Sequence, residues 1–338
     1  MDERYLDEYE AYEELFDPLK TDRKARRSRR PKARHRPKKS RREIVTEIAD
    51  PSGLEEGFNP SYRPGLFEEG WLLQALRAFY DQQIIRDVLM QVRGGKEANV
   101  YCCAPGEAAP EGVGLLAAKV YRPRMFRQLR NDKLYREGRA ILTAEGRPIK
   151  TTDHRLMRAV GKKTALGEQV EHTSWMMHEY TALQRLHEAG AAVPRPLAAS
   201  ENAILMSYCG DARLAAPTLQ EVRLTAEEAG PLLEEVLRNV ALMLRHGLVH
   251  GDLSAYNILY WEGAITIIDF PQVVQVGGNA QAYAILRRDI ARVCAYFARQ
   301  GVDCDPESLT EALGRRYLAG HPLDRLADAS RAAPEEEA

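Results

Sequence analysis

Apolar positions along the chain fall into two spacings, and the alternation between them marks out the elements. Near Leu66 a helical repeat begins, with Leu72, Leu73, Leu76, Phe79 and Tyr80 on one side, and it runs to Asp81. Strand spacing follows, first through Val88, Met90 and Val92, then from Val100 to Cys103, then from Leu115 to Tyr121. Gly94-Gly95 and Pro105-Gly106 are the turns between these strands. Residues 122 to 174 hold neither spacing and read as a basic insertion, partly helical and partly mobile. Trp175 to Ala189 is helical again, with Trp175, Tyr180, Leu183 and Leu186 as its apolar side and Gly190 as its stop. Pro194-Arg195-Pro196 is an extended connector, and Ala203 to Tyr208 is a strand.

Beyond it, Thr225 and Glu228 form a capping box for a helix reaching His246, whose core side is Leu232, Leu233, Val236, Val240 and Leu244. Gly247 ends that helix. Val249 belongs to a short apolar strand, Glu262-Gly263 is a turn, and Ile265, Ile267 and Ile268 form the strand that ends at Asp269. A helix through Tyr283, Leu286, Ile290, Val293 and Phe297 follows, flanked by Arg287, Arg288 and Asp289, and a short one around Leu309 to Leu318 comes last. These elements mix helix and strand, an α+β pattern, and 338 residues suggest two domains, or one domain of two lobes with tails.

Charge changes the picture mainly at the N-terminus. The net charge of −1 conceals eight acidic side chains against Arg4 alone in residues 1 to 17, and nine Arg and four Lys against Asp22 alone in residues 21 to 42. Like charges repel and bury nothing, so residues 1 to 65 are expected to be a disordered tail, acidic, then basic, then acidic. The basic block could meet phosphates of RNA or of a ribosomal particle, with steep salt dependence, or remain a solvated tail. A second acidic tail is expected at 326–338. Between them, 66–205 is expected to be an N-terminal lobe carrying the insertion 122–174, and 206–325 a C-terminal lobe. No apolar run approaches membrane-spanning length, and the acidic start leads us to expect neither a signal segment nor a membrane span. Five cysteines, odd in number and without a C-x-x-C, suit reduced core thiols, and a cytoplasmic location is expected.

The stretch LVHGDLSAYNILYWEGAITIIDF, 248–270, is richest in candidate chemistry. A His-x-Asp, an Asn five residues after that Asp and a second Asp closing an apolar strand form the set with which kinases hold a base and two metal ligands against a nucleotide triphosphate. Any one of Asp252, Asn257 and Asp269 could be an ordinary turn or capping residue; the three at this spacing favour chemistry. Lys119 stands alone in the apolar run LLAAKVY, and a buried ammonium needs a carboxylate or phosphate. Glu179, on the helix from Trp175, is its candidate partner. Gly94 and Gly95 are weaker, since they make neither G-x-G-x-x-G nor G-K-[ST].

In order along the chain, GGKEANVY (94–101), AAKVYR (117–122), KLYREGR (133–139), Trp-x-x-x-Glu-Tyr (175–180), LMSYCGD (205–211), LVHGDLSAYNIL (248–259), IIDFPQ (267–272) and LRRDI (286–290) resemble the motifs of RIO-type atypical serine/threonine protein kinases. Together they span about 200 residues. The absence of a winged-helix pattern before residue 66 favours the first RIO type or its prokaryotic relatives. Three positions depart from the family pattern: Ala255 where Glu usually follows Asp-Leu-Ser, Pro271-Gln272 where the first type has Ser-Gln, and Gly278-Asn279 where His-Pro is usual.

The resemblance implies a two-lobed protein-kinase-like fold, with a β-rich nucleotide lobe and a small, mainly helical lobe lacking an activation segment. It implies ATP with Mg²⁺, or Mn²⁺ in its place. Gly94, Gly95, Lys96, Glu97, Ala98 and Val100 would cover the phosphates; Lys119 would hold them with Glu179 fixing its ammonium; Met206, Ser207 and Tyr208 would flank adenine. Asp252 would act as base, Asn257 and Asp269 would bind the metal, and Ser254 would support the loop. Transfer would go to Ser of a protein or of the chain itself, or transiently to Asp269. Two other readings stand beside this one: a small-molecule kinase of the aminoglycoside or choline kind, and an ATP-gated RNA- or ribosome-binding module with slow turnover.

Overall fold

The computed structural model describes residues 57–65, 68–95, 97–122, 139–150, 152–162 and 164–318. Expectations for residues 1–56, for Lys96, for 123–138 and for the acidic end lie outside these residues. The described chain forms two compact units: residues up to 122 together with 196–215, and residues 139–195 together with 216–318. The sequence reading cut the chain after residue 205 and kept 139–195 with the strands. Two contacts move that cut. The Tyr208 N–H, donated to Leu115 O at 3.1 Å, keeps the chain after the last strand with the sheet, and Ala182, Leu183 and Leu186 bury into the helical core.

The sheet unit holds helix α1 (Glu69–Asp81) and strands β1 (Ile85–Gly94), β2 (Ala98–Pro105) and β3 (Leu116–Tyr121). Strands β4 (Pro196–Ala199) and β5 (Ala203–Ser207) complete an antiparallel sheet of order β1-β2-β3-β5-β4. The residues read as a connector at Pro196 thus open an edge strand, where proline costs no ladder hydrogen bond. Leu72, Leu76 and Phe79 of α1 cover Val88, Tyr101, Leu116, Ala118 and Leu205, and each fully buried side chain of this size stabilises by about 1.5–3 kcal/mol.

Order begins earlier than Leu66. Phe58 stacks on Tyr80 at 4.4 Å, Tyr62 donates its N–H to Val88 O at 2.8 Å, and Ser61 Oγ donates to Asp87 at 2.5 Å. The tail expected over 1–65 therefore gives way by residue 57 to chain docked on β1. The signal lay in Phe58 and Tyr62, aromatics set among prolines and charges.

The helical unit contains α2 (His154–Gly161), α3 (Ala165–Glu188), α4 (Ala226–Arg245), α5 (Ala282–Arg299) and α6 (Pro306–Tyr317), with short strands β6 (Leu248–Val249), β7 (Ile258–Trp261), β8 (Ala264–Ile267) and β9 (Val274–Gln275). The capping box forms as expected: Thr225 Oγ1 accepts from Glu228 N at 3.3 Å and Glu228 Oε2 accepts from Thr225 N at 2.8 Å. Helix α3 starts ten residues before Trp175, capped by Thr164, because the polar run Gly167–Thr173 continues a helix whose apolar side develops only later. The insertion thus resolves, where described, into a turn closed by the Leu142–Pro148 bridge, α2 and the first turns of α3. β7 and β8 form a hairpin on Glu262 (φ 49°) and Gly263 (φ 82°), both left-handed, which matches the twist of the strands.

Two expectations for α5 change. Tyr283 is 37% exposed rather than core, lying over Gly314 of α6, and Arg288 and Asp289 are buried rather than flanking. Among the described residues no helix is long and apolar enough to cross a membrane.

Candidate active site

The loop from His250 to Asn257 is built by contacts that its own residue types require. Gly251 sits at φ +85°, and a Cβ there would come within 2.2 Å of Gln272 O, so only glycine fits. His250, buried, donates Nε2–H to Ile268 O at 3.0 Å and accepts the Asp252 N–H on Nδ1 at 3.2 Å, which assigns the neutral Nε2–H tautomer. Its ring lies 4.5 Å from that of Phe270. With both nitrogens engaged, His250 ties the loop to the strand leading into Asp269 and is no metal ligand.

Asp252 is 3% exposed, and a guanidinium and an amide beside it define its orientation. Arg292 Nη1 meets its Oδ1 at 2.6 Å, and Asn257 Nδ2 donates to its Oδ2 at 3.1 Å and to its carbonyl at 2.9 Å. The Asn257 amide is therefore turned so that its oxygen faces away from Asp252. Ser254 is fully buried, yet its hydroxyl finds no hydrogen-bond partner among the described residues. Its carbonyl, accepting Asn257 N–H at 3.0 Å, supports the loop instead.

The hairpin register brings Asp269 to this loop. Ile258 pairs with Ile267, and Ile268 donates its N–H to Asn257 O at 2.9 Å. Asp269 then adopts φ +71°, a left-handed conformation that Asp tolerates better than most residues but that still costs free energy. Phe270, the next residue, directs its N–H toward Glu179 Oε1 at 3.4 Å, a weak contact. Glu179 is 1% exposed, so it is no solvated helix residue. Arg139 donates to Pro271 O at 3.0 Å and to Val273 O, bracing the chain just beyond. The Asn257 oxygen and the Asp269 carboxylate are hard oxygen donors of the kind Mg²⁺ accepts, with water and phosphate completing its shell. Among the described residues no group of three or more His, Cys, Asp or Glu could hold a metal alone.

In the sheet unit the remaining candidates gather around β2 and β3. Gly94 pairs with Asn99, and Gly95 donates its N–H to Ala98 O at 2.9 Å, so the glycines close a tight hairpin and the Gly95 amide is already committed. Val100 lies opposite Lys119 in the β2–β3 register. Lys119 is 9% exposed, and its Nζ is 5.5 Å from the Tyr121 ring centroid. Met206 and Ser207 end β5, facing Ala117 and Leu116. The Tyr208 N–H is donated to Leu115 O at 3.1 Å and so is not available to a base. The Tyr208 hydroxyl has no hydrogen-bond partner among the described residues, and burial pushes its pKa up to about 12. Lys119 belongs to this unit and Glu179 to the other.

Sequence reasoning overlooked a polar cluster behind the glycine turn. Asn99, 2% exposed, donates to Glu68 at 3.2 Å and to the Tyr101 hydroxyl at 3.0 Å, and accepts from Arg122 at 2.9 Å. It also overlooked Arg292 and the burial of Arg288 and Asp289, although three charged residues at 288, 289 and 292 interrupt an otherwise apolar helix face.

The RIO domain model matches residues 127–309, more than half of the chain. The chain belongs to the RIO domain family. Among the relatives of this RIO domain, the RIO-type serine/threonine-protein kinase Rio1 of Haloferax volcanii is 34% identical over 64% of this chain and 65% of its own. The serine/threonine-protein kinase RIO1 of Chaetomium thermophilum is 34% identical over 66% of this chain and 41% of its own. The match thus spans less than two thirds of either relative. A solved structure of the Rio2 kinase from Chaetomium thermophilum is similar over 86% of this chain and 81% of its own, at 20% identity and a TM-score of 0.48.

Beside Glu179 in α3, His178 gives this RIO domain an acid-sensitive contact. Burial, outweighing the hydrogen bond that Nε2–H donates to Ala140 O, lowers its pKa to about 4 from 6.5. As pH falls through 6.5 the unfolded chain takes up a proton that the folded chain refuses until about pH 4, so stability is lost across that window. Between pH 7 and pH 5, urea unfolding should show wild type losing roughly 1–2 kcal/mol more than His178→Gln. Equal losses would remove His178 from the acid response.

Proposed function

We propose that this RIO domain is an ATP-dependent serine/threonine protein kinase or ATPase. The observation that carries the reading is the pinned Asp252–Asn257 pair set against a left-handed Asp269 in a chain of this family. In this reading a Ser hydroxyl attacks the γ-phosphorus of ATP, the bond to the β–γ bridging oxygen breaks, ADP leaves, and the hydroxyl proton passes to Asp252. Asn257 and Asp269 would hold Mg²⁺, which when bound supplies neutralisation of phosphate charge. The sheet unit would be the nucleotide lobe, with Gly94, Gly95, Lys96, Glu97, Ala98 and Val100 over the phosphates. Lys119 would sit on the phosphates with Glu179 as its partner, and Met206, Ser207 and Tyr208 would lie beside adenine. The unpartnered Tyr208 hydroxyl supports a polar ligand group at that edge. Asp269 is the second acceptor to consider, since transfer to its carboxylate followed by hydrolysis is ATPase turnover.

The acceptor, a cytoplasmic location and contact with RNA or a ribosomal particle through residues 21–42 belong to the same proposal. Incubation with [γ-³²P]ATP and Mg²⁺ tests it. Wild type should label itself or release phosphate, and Asp252→Asn should reduce both by roughly 10²-fold or more. Label stable to acid marks phosphoserine; label released by hydroxylamine marks an acyl phosphate. Neither label nor released phosphate from wild type would defeat the enzyme reading. Transfer only to small hydroxyl or amine compounds would replace it with a small-molecule kinase. Removing residues 1–56, which leaves the docked Phe58 in place, tests the basic block. Unchanged, salt-insensitive association with ribosomal particles would exclude it.

A further inference from the structure

Helix α5 places three charged side chains, at 288, 289 and 292, beneath the catalytic loop, and each reaches a different group of Gly251 and Asp252. Arg288 Nη2 donates to Gly251 O, and Asp289 Oδ2 accepts the Gly251 N–H at 2.8 Å. Arg288 and Asp289 also pair with each other at 3.1 Å. One turn further on, Arg292 Nη1 meets Asp252 Oδ1 at 2.6 Å, with both side chains almost wholly buried. The first two hold the backbone of the loop. Arg292 meets the carboxylate itself.

A carboxylate attached to a fixed backbone still turns about its own bonds, and a buried charge without a partner would relax toward water or rearrange. Asn257 restrains one oxygen by a neutral hydrogen bond at 3.1 Å; Arg292 restrains the other by a shorter, charge-assisted one at 2.6 Å. An ionised carboxylate accepts about four hydrogen bonds in all, more than these two restraints supply. We propose that Arg292 is a positioning residue for Asp252, supplying from α5 the charge and the direction that keep this carboxylate aimed. The inference rests on the phosphoryl-transfer reading of Asp252 and adds to it a residue outside the loop. The 2.6 Å contact runs through Nη1, and a lysine would keep the positive charge that it carries to Asp252.

The test uses the full chain, with ATP turnover and thermal unfolding measured on each variant. Wild type is assayed first: if it turns over no ATP, the reading of Asp252 has failed, and the unfolding comparison below still judges the pairing. Arg292→Gln should lower kcat by roughly 10–100-fold with KM for ATP within about twofold, since displacement of a catalytic group by about 1 Å costs on that order. Arg292→Lys should return kcat to within about fivefold of wild type, on the charge argument. A kcat unchanged in Arg292→Gln would overturn the proposal, as would equal defects in Gln and Lys, or a loss carried by KM. If Arg292→Gln fails to fold, Asp252→Asn is compared with Asp252→Asn/Arg292→Gln. The double variant should melt higher, because the second change removes the charge that the first left unpaired. A melting temperature equal to or below that of the single variant would overturn the pairing.

Discussion

Replacing Asp269 by Asn is expected to lower ATP turnover by roughly 10³-fold while leaving the fold intact. The substitution keeps the size of the side chain, and Asn shares with Asp the ability to occupy the left-handed backbone region that Asp269 adopts at φ +71°. Two hydrogen bonds from main-chain N–H groups beside it, Ile268 N–H to Asn257 O and Phe270 N–H to Glu179, are made by its neighbours. None of these requires the Asp269 charge. What disappears is the negative oxygen that would face a divalent cation, together with the carboxylate that would form the acyl phosphate in this reading. The melting temperature should stay within about 3 °C of wild type, while released phosphate and hydroxylamine-sensitive label both vanish. Turnover within tenfold of wild type would remove Asp269 from the chemistry and leave its backbone conformation without a functional account.

Gly251→Ala should produce the largest loss of stability of any single methyl addition in the loop, roughly 3–5 kcal/mol. Two costs combine. The backbone at φ +85° is strained for any L side chain, and the new methyl would sit 2.2 Å from Gln272 O, a main-chain atom that cannot swing aside. Relief would require parting the loop from the segment after Asp269, where Arg139 holds Pro271 and the His250 ring packs on Phe270. Gly263→Ala supplies the control, because Gly263 is also left-handed, at φ +82°, but has nothing within 4 Å of its would-be methyl. It should cost only about 1 kcal/mol. Urea unfolding of the two variants separates strain from collision, and equal losses would mean that the approach to Gln272 is not a constraint on the loop.

The strands and helices were legible wherever one face is apolar for long enough. The α4 capping box, the Glu262-Gly263 hairpin and the Val100 to Cys103 strand all form as their local residue types require. Legibility failed where local composition is polar but a distant surface covers it. Phe58 and Tyr62 lie in a stretch rich in proline and charge, and they are held by Tyr80 and Val88, more than twenty residues away. The first turns of α3 show no apolar side, and β4 is an edge strand of four residues that exists because β5 lies beside it.

The same division runs through the candidate site. By itself the sequence determined which groups are present at 248–270: a histidine, an amide and two carboxylates at a spacing suited to phosphate chemistry, within a RIO domain. Spacing in one dimension says nothing about which buried charge meets which, because a low-dielectric interior makes that choice through contacts between residues far apart in the chain. Tertiary structure alone decided that Asp252 is pinned by Arg292, forty residues on. It also decided that both nitrogens of His250 brace the loop and that Asn257 turns its oxygen away from Asp252. These choices follow from burial: under α5, the Asp252 carboxylate and the His250 ring are held by neighbouring residues.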